Sequence, residues 1–222
     1  MPNNGIVLLD ESLVLGKGRN KVVYIHPDNP ERCIKINNEG TAFDHLYEMR
    51  YRKTRELLHL PPSSLLTKYY GTVKTNYGDG FVFERVCDYD GITSKTIGEL
   101  INLEIESRKG RKSTKELLAS EKEIPLVTDI LLQFREVLFH DNIILPNMQS
   151  QNYMVKFSSP TDWQVLIIDD IGARTIFPIV NYIGFLGKRY LRRHWGHFIK
   201  WLVAEYPGFF TAEEITQLSA IK

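Results

Sequence analysis

Apolar and polar residues keep a short strand-like period over roughly the first third of this chain and a helical period over most of the remainder. From Ser12 to Ile36 the apolar runs are separated by turn residues at Gly16 to Asn20 and again at Pro27 to Glu31, which predicts three short strands. Thr41 to Leu60 has no proline and no internal glycine and stops at Pro61-Pro62. That predicts one helix with a partial apolar stripe at Phe43, Leu46, Tyr47, Leu57 and Leu58, and charge over the rest. Tyr69 to Thr75 and Gly80 to Val86 read as two further strands joined through Asn-Tyr-Gly-Asp-Gly, residue types that tolerate positive φ. The first part of the chain is thus a small, mostly antiparallel sheet with one helix.

Helical spacing takes over after a polar stretch from Val86 to Thr93. Thr96 and Glu99 form a capping-box pattern at the head of a helix reaching Glu106, and Ser107 to Lys122 reads as a solvated loop or mobile helix. Leu126, Val127, Ile130, Leu131, Phe134, Val137 and Leu138 keep a helical repeat that predicts a buried central helix, ended by His140-Asp141-Asn142. Tyr153 to Phe157 and Trp163 to Ile168 are short strands that bring Asn152 and Asp169-Asp170 to their ends. Beyond Pro178 the chain is helical, with an apolar seam of Leu191, Trp195, Phe198 and Leu202 and a basic face of Arg189, Arg192, Arg193 and Lys200.

Composition narrows the function classes. The 222 residues are 43% apolar and 25% charged with a net charge of +1, so no global field favours nucleic acid. Cys33 and Cys87 lie far apart in apolar segments, which suits core thiols rather than a disulfide framework. The apolar stretch from Ile176 to Gly187 is interrupted by Pro178 and Asn181 and is too short to span a bilayer, and no signal-peptide pattern opens the chain. A cytoplasmic protein without a transmembrane segment is expected.

The chemistry concentrates in Leu15 to Ile36. Gly16 and Gly18 lack the Cβ atoms that keep a backbone away from phosphate oxygens, and Lys35 offers a fixed cation on the following strand. On these residues alone a phosphate-binding turn and an ordinary surface hairpin with a snorkelling lysine both stand. The ordered set is more specific: glycine loop, strand lysine, helix with a glutamate, five strands, long buried helix, loop ending in Asn152, and a strand opening onto Asp-Asp-Ile-Gly. In that order the chain resembles the protein-kinase fold. Its segments LGKGRNKVVYIHP, ERCIKI, YYGTVKTNYGDGFVFE and SQNYMV resemble the bacterial YrbL family of PhoP-regulatory-network proteins, over roughly Leu13 to Pro178.

The resemblance implies an α+β, bilobal kinase-like fold, with an N-lobe over residues 1–86 made of a five-stranded antiparallel sheet plus one helix. Residues 87–222 would form a short, mostly helical C-lobe. It also implies ATP and Mg2+ as cofactors. Gly16, Lys17 and Gly18 fit the phosphate loop, although Lys21 stands where a third glycine is usual, and Lys35 fits the phosphate-contacting lysine. Glu48 is the candidate partner of Lys35, with Glu56 in reserve and a surface pair between Glu48 and Arg52 as the alternative. Phe83 to Val86 fits the hinge, whose backbone at Glu84 and Val86 would meet an adenine edge. Asn152 with Asp169 or Asp170 fits the metal site, and strand alternation predicts that only one aspartate faces the nucleotide. Asn147 occupies the place of the catalytic aspartate, and an amide cannot act as a carboxylate base. An atypical kinase or pseudokinase is therefore expected. The alternatives are an active phosphotransferase or nucleotidyl transferase acting on a small molecule, sugar or lipid head group, and a non-catalytic interaction module. The basic face of Arg189, Arg192, Arg193 and Lys200 is the candidate dock for an anionic acceptor or an acidic protein.

Overall fold

The computed structural model describes residues 5–38, 43–110, 121–174 and 179–221. Its larger sheet contains β1 (Ile6–Val7), β2 (Val14–Lys17), β3 (Lys21–His26), β4 (Asn29–Asn37), β5 (Tyr69–Thr75) and β6 (Gly78–Glu84). The spatial order is β1-β5-β6-β4-β3-β2. Five of these strands form the expected antiparallel sheet, and the short β1 adds a sixth, parallel to β5. β1 has no counterpart in the sequence pattern, because a two-residue strand leaves no period to read.

Residues Cys33 to Ile36 of β4 are all buried, and strand alternation divides them between two environments. Ile34 and Ile36 join Leu9, Tyr24 and Val82 in the apolar core of the first lobe. Cys33 and Lys35 face the opposite way, into the space between the lobes.

Helix α1 (Phe43–Leu57) departs from the sequence expectation. Leu46, Leu57 and Leu58 of the apolar stripe are exposed, while His45, Glu48, Tyr51, Thr54 and Arg55 are buried at helical spacing. Tyr51 and Arg55 of this face have partners on the other lobe. Ile144 N donates to Tyr51 Oη at 3.1 Å, and Arg55 Nη1 donates to the Asp141 carbonyl at 3.0 Å. Burial here costs little because most of these groups exchange water for a protein partner.

The second lobe is built from β7 (Lys95–Thr96), α2 (Ile97–Arg108), α3 (Val127–His140), β8 (Tyr153–Phe157), β9 (Trp163–Ile167), α4 (Gly184–Glu205) and α5 (Ala212–Ser219). The Thr96/Glu99 capping box forms as expected, with both reciprocal hydrogen bonds present. Ile130, Leu131, Phe134 and Leu138 of α3 meet Leu191, Trp195, Phe198 and Leu202 of α4 in one core. Ile143 to Leu145 contribute to it without forming a strand, and β7-β8-β9 make a separate small sheet. Of Ser107 to Lys122, residues 111–120 lie outside the described residues. The solvated reading fails at its far end, where Lys122 is buried and pairs with Asp88 at 2.7 Å and Asp90 at 2.8 Å. Cys33 is buried and Cys87 half-buried; both are free thiols, and burial raises the pKa of each. No described helix is long and apolar enough to cross a membrane.

Candidate functional site

A cavity of about 440 Å3 opens between the lobes, with Leu15, Gly16 and Val23 above and Met154 and Ile168 below. Cys33, Lys35 and Phe83 stand at its inner side, and Glu84, Arg85 and Val86 pass along its edge. The linker backbone is partly engaged: the Glu84 carbonyl accepts from Cys33 Sγ at 3.7 Å and the Val86 carbonyl from Ser94 N at 3.0 Å.

Ile168 is the clasp that assembles the polar end. Its N–H donates to the Asn152 carbonyl at 2.9 Å, and its own carbonyl accepts a hydrogen bond from Lys35 Nζ. The strand lysine, the loop amide and the start of Asp169-Asp170 are thereby held on one residue. Lys35 also stands 4.0 Å from the Phe83 ring centroid, so its charge lies against an aromatic face.

Glu48 does not pair with Lys35. Its carboxylate accepts from Arg52 Nε at 3.0 Å and Nη2 at 2.8 Å, while Arg52 Nη1 donates to the Thr67 carbonyl at 3.0 Å. The planar guanidinium one turn along the helix takes the carboxylate with two donors, and Lys35 reaches the second lobe instead. Glu56 is exposed and takes no part in the site.

The two aspartates take separate partners. β9 ends at Ile167, and Asp170 takes a left-handed φ of 62°, which breaks the alternation that a continuing strand would impose. Asp169 Oδ1 pairs with Lys21 Nζ at 2.6 Å. Asp170 Oδ2 accepts from the side-chain amides of Asn147 and Asn152, each at 3.4 Å, and Arg174 binds its other oxygen. Burial acts to raise the pKa of Asp169, but the charges of Lys35 and Lys21 outweigh it and hold the carboxyl below its usual range. Asp170 is shifted upward, by burial first and then by the charge of Asp169, with Arg174 opposing. Two adjacent carboxylates with opposite shifts, plus one amide, form a set that a divalent cation would neutralise.

The glycine loop is a tight hairpin in which Gly18 N donates to the Lys21 carbonyl at 2.8 Å. A Cβ on Gly16 would meet nothing within 4 Å, and Gly16 has no positive φ. The fold itself therefore does not demand glycine there, and Gly16 is among the residues that line the cavity. Lys17 lies elsewhere, solvent-exposed and paired with Glu11 at 2.8 Å. Lys21, at the expected third-glycine position, is instead a buried cation joining the loop to Asp169.

Sequence reasoning misses Lys21, Arg174 and His45. His45 is 1% exposed, its ring centroid is 3.8 Å from that of Phe81, and neither of its nitrogens has a hydrogen-bond partner. Its helical spacing of three from Glu48 is the one signal the chain offers. Asn147 is exposed at the mouth, and Arg189, Arg192, Arg193 and Lys200 are exposed on α4.

Residues 6–202 match the family model described as PhoP regulatory network protein YrbL. The YrbL proteins of Escherichia coli (strain K12) and Shigella flexneri are each 26% identical to this chain over 202 residues, covering 87% of this chain and 87% of the relative. Among solved structures, the kinase domain of Mycobacterium tuberculosis PknI and a mutant form of it each give a TM-score of 0.46 at 14% identity. Each superposition covers 83% of this chain and 71% of the other.

Proposed function

The chain belongs to the PhoP regulatory network protein YrbL family, and from that premise we propose that it binds ATP with magnesium between its two lobes. The observation that carries this reading is the meeting of Lys35 and Lys21 with Asp169, Asp170 and Asn152 beside an apolar cavity of about 440 Å3. An adenine ring would lie between Val23 and Met154 with its edge toward Glu84 and Val86, and the lysines would face phosphate oxygens. Asn152 and Asp170 would hold magnesium, with Asp169 beside them. The described residues contain no group of three or more histidine, cysteine or acidic side chains able to hold a metal. Oxygen ligands from one carboxylate and one amide suit magnesium, which keeps waters and phosphate oxygens in its shell, better than a transition ion. When bound, the ion would neutralise charge on the phosphates.

Because an amide stands at position 147, transfer to an acceptor is expected to be slow for a kinase-like site. Thermal melting tests the binding itself. With ATP and magnesium at about one hundred times Kd, the wild type gains about 2.7 kcal/mol by mass action, a rise in Tm of roughly 5 °C or more. Lys35→Met and Asp170→Asn are each expected to lose most of that rise; a wild type that shows none at millimolar ATP defeats the reading. Gly16→Ala should leave unliganded stability within about 0.5 kcal/mol, since its methyl meets nothing within 4 Å, yet reduce the nucleotide-dependent rise, since Gly16 lines the proposed nucleotide cavity.

A further inference from the structure

A second, smaller cavity of about 240 Å3 adjoins the acidic end of the crevice. Pro146, Asn147, Met148 and Gln149 form one wall; His194, His197, Phe198 and Trp201 of α4 form the other. Asn147 belongs to both places, since its amide also donates to Asp170. The His194 ring is fixed by stacking on Tyr190, with centroids 4.0 Å apart and planes 24° apart.

We infer that this cavity receives the acceptor, a small polyhydroxyl compound of about monosaccharide size, and that His194 is the base that takes its hydroxyl proton. The inference rests on the nucleotide reading above. A cavity of about 240 Å3 lies below the usual range of about 300–1,000 Å3 for drug-sized ligands and so restricts the occupant to a smaller molecule, and the amides of Asn147 and Gln149 offer hydrogen bonds to hydroxyl groups. In the transfer, the acceptor oxygen bonds to the γ-phosphorus, the bond from that phosphorus to the β,γ-bridging oxygen breaks, and ADP leaves. The hydroxyl proton passes to a ring nitrogen of His194, while Asn147, which cannot accept it, orients the hydroxyl. His194 suits the task because its pKa is depressed, by burial first and then by His197 and Arg193 on its own helix; the facing Pro146 carbonyl opposes this. Asn147 and Gln149 on the opposite wall carry no charge.

The test measures release of phosphate from radiolabelled ATP to water and its transfer to D-ribose, in wild type, His194→Gln and the double variant His194→Gln with Asn147→Asp. Wild-type rate should rise with pH and level off above an apparent pKa below the ordinary histidine value of about 6.5. His194→Gln should lower the rate about 100-fold and remove that limb, while keeping the ATP-dependent rise in Tm. Asn147→Asp in that background should restore much of the rate. Unchanged rate and pH profile in His194→Gln overturns the inference, as does a wild type that binds ATP yet transfers phosphate to neither acceptor. Absence of the wild-type Tm rise defeats the nucleotide reading instead, so the two failures are told apart.

Discussion

Gly172→Ala is expected to destabilise the protein by about 3 kcal/mol and to abolish the nucleotide-dependent rise in Tm. Gly172 has a φ of +87°, and an added Cβ would lie 2.6 Å from Tyr51 Cβ and 3.1 Å from the Tyr47 carbonyl. A left-handed conformation costs an alanine roughly 1–2 kcal/mol, and forced overpacking adds typically 1–3 kcal/mol. Neither neighbour yields easily. The Tyr47 oxygen is helix backbone, and Tyr51 is held at its far end, where its hydroxyl accepts from Ile144 N at 3.1 Å and donates to the Asn142 carbonyl at 3.2 Å. Gly172 N itself donates to the Ile144 carbonyl at 2.8 Å. The methyl must therefore push α1 outward or drag Asp169-Asp170 away from Lys21 and Asn152. Equilibrium urea unfolding gives the first quantity and melting with ATP and magnesium the second. A loss below 1 kcal/mol with an intact nucleotide response would show that this contact is not what sets α1 against the acidic loop.

Much of this arrangement is legible in the chain wherever one face of an element is apolar. β4 announces itself by its buried run, and its alternation sends Lys35 inward. The α4 seam of Leu191, Trp195, Phe198 and Leu202 reads directly, as does the Thr96/Glu99 capping box. Legibility fails where burial is achieved with polar groups. The inner face of α1 runs His45, Glu48, Tyr51 and Arg55, a spacing that pattern reading assigns to solvent because the partners of Tyr51 and Arg55 are supplied by a distant part of the chain. The pairing of Glu48 with Arg52 rather than Lys35 belongs to the same blindness: both partners are visible in the sequence, and only packing chooses between them. Strand alternation would separate Asp169 from Asp170, but that rule lapses once the strand has ended and one residue turns left-handed. Lys21 reads as a missing glycine when it is an added cation, since a ladder of short-range motifs carries no information about a contact 148 positions away.

His45→Phe is expected to stabilise the protein at acid pH and to flatten the loss of stability as pH falls. Burial first, then the charges of Lys21 and Lys35, depress the His45 pKa to about 3, with Asp169 opposing. The unfolded chain takes up this proton near the ordinary value of about 6.5, and the folded chain only near 3. Between those limits unfolding binds a proton, so stability falls by about 1.4 kcal/mol for each unit that pH drops below 6.5, and this contribution is whole only above it. At pH 5 the term amounts to about 2 kcal/mol, and at pH 4 to about 3 kcal/mol. Phenylalanine carries no proton and no unpaired nitrogen into a slot already walled by Phe81 and Phe83. Urea unfolding of both proteins at pH 8, 6, 5 and 4 measures the two slopes, and parallel slopes would sink the argument. The same ring leaves this end of the crevice with two lysines and not three cations: a protonated His45 beside Lys21 and Lys35 would be buried without a hydrogen-bond partner for its added charge, and its neutrality keeps the positive potential on the two amines that reach Asp169 and Ile168.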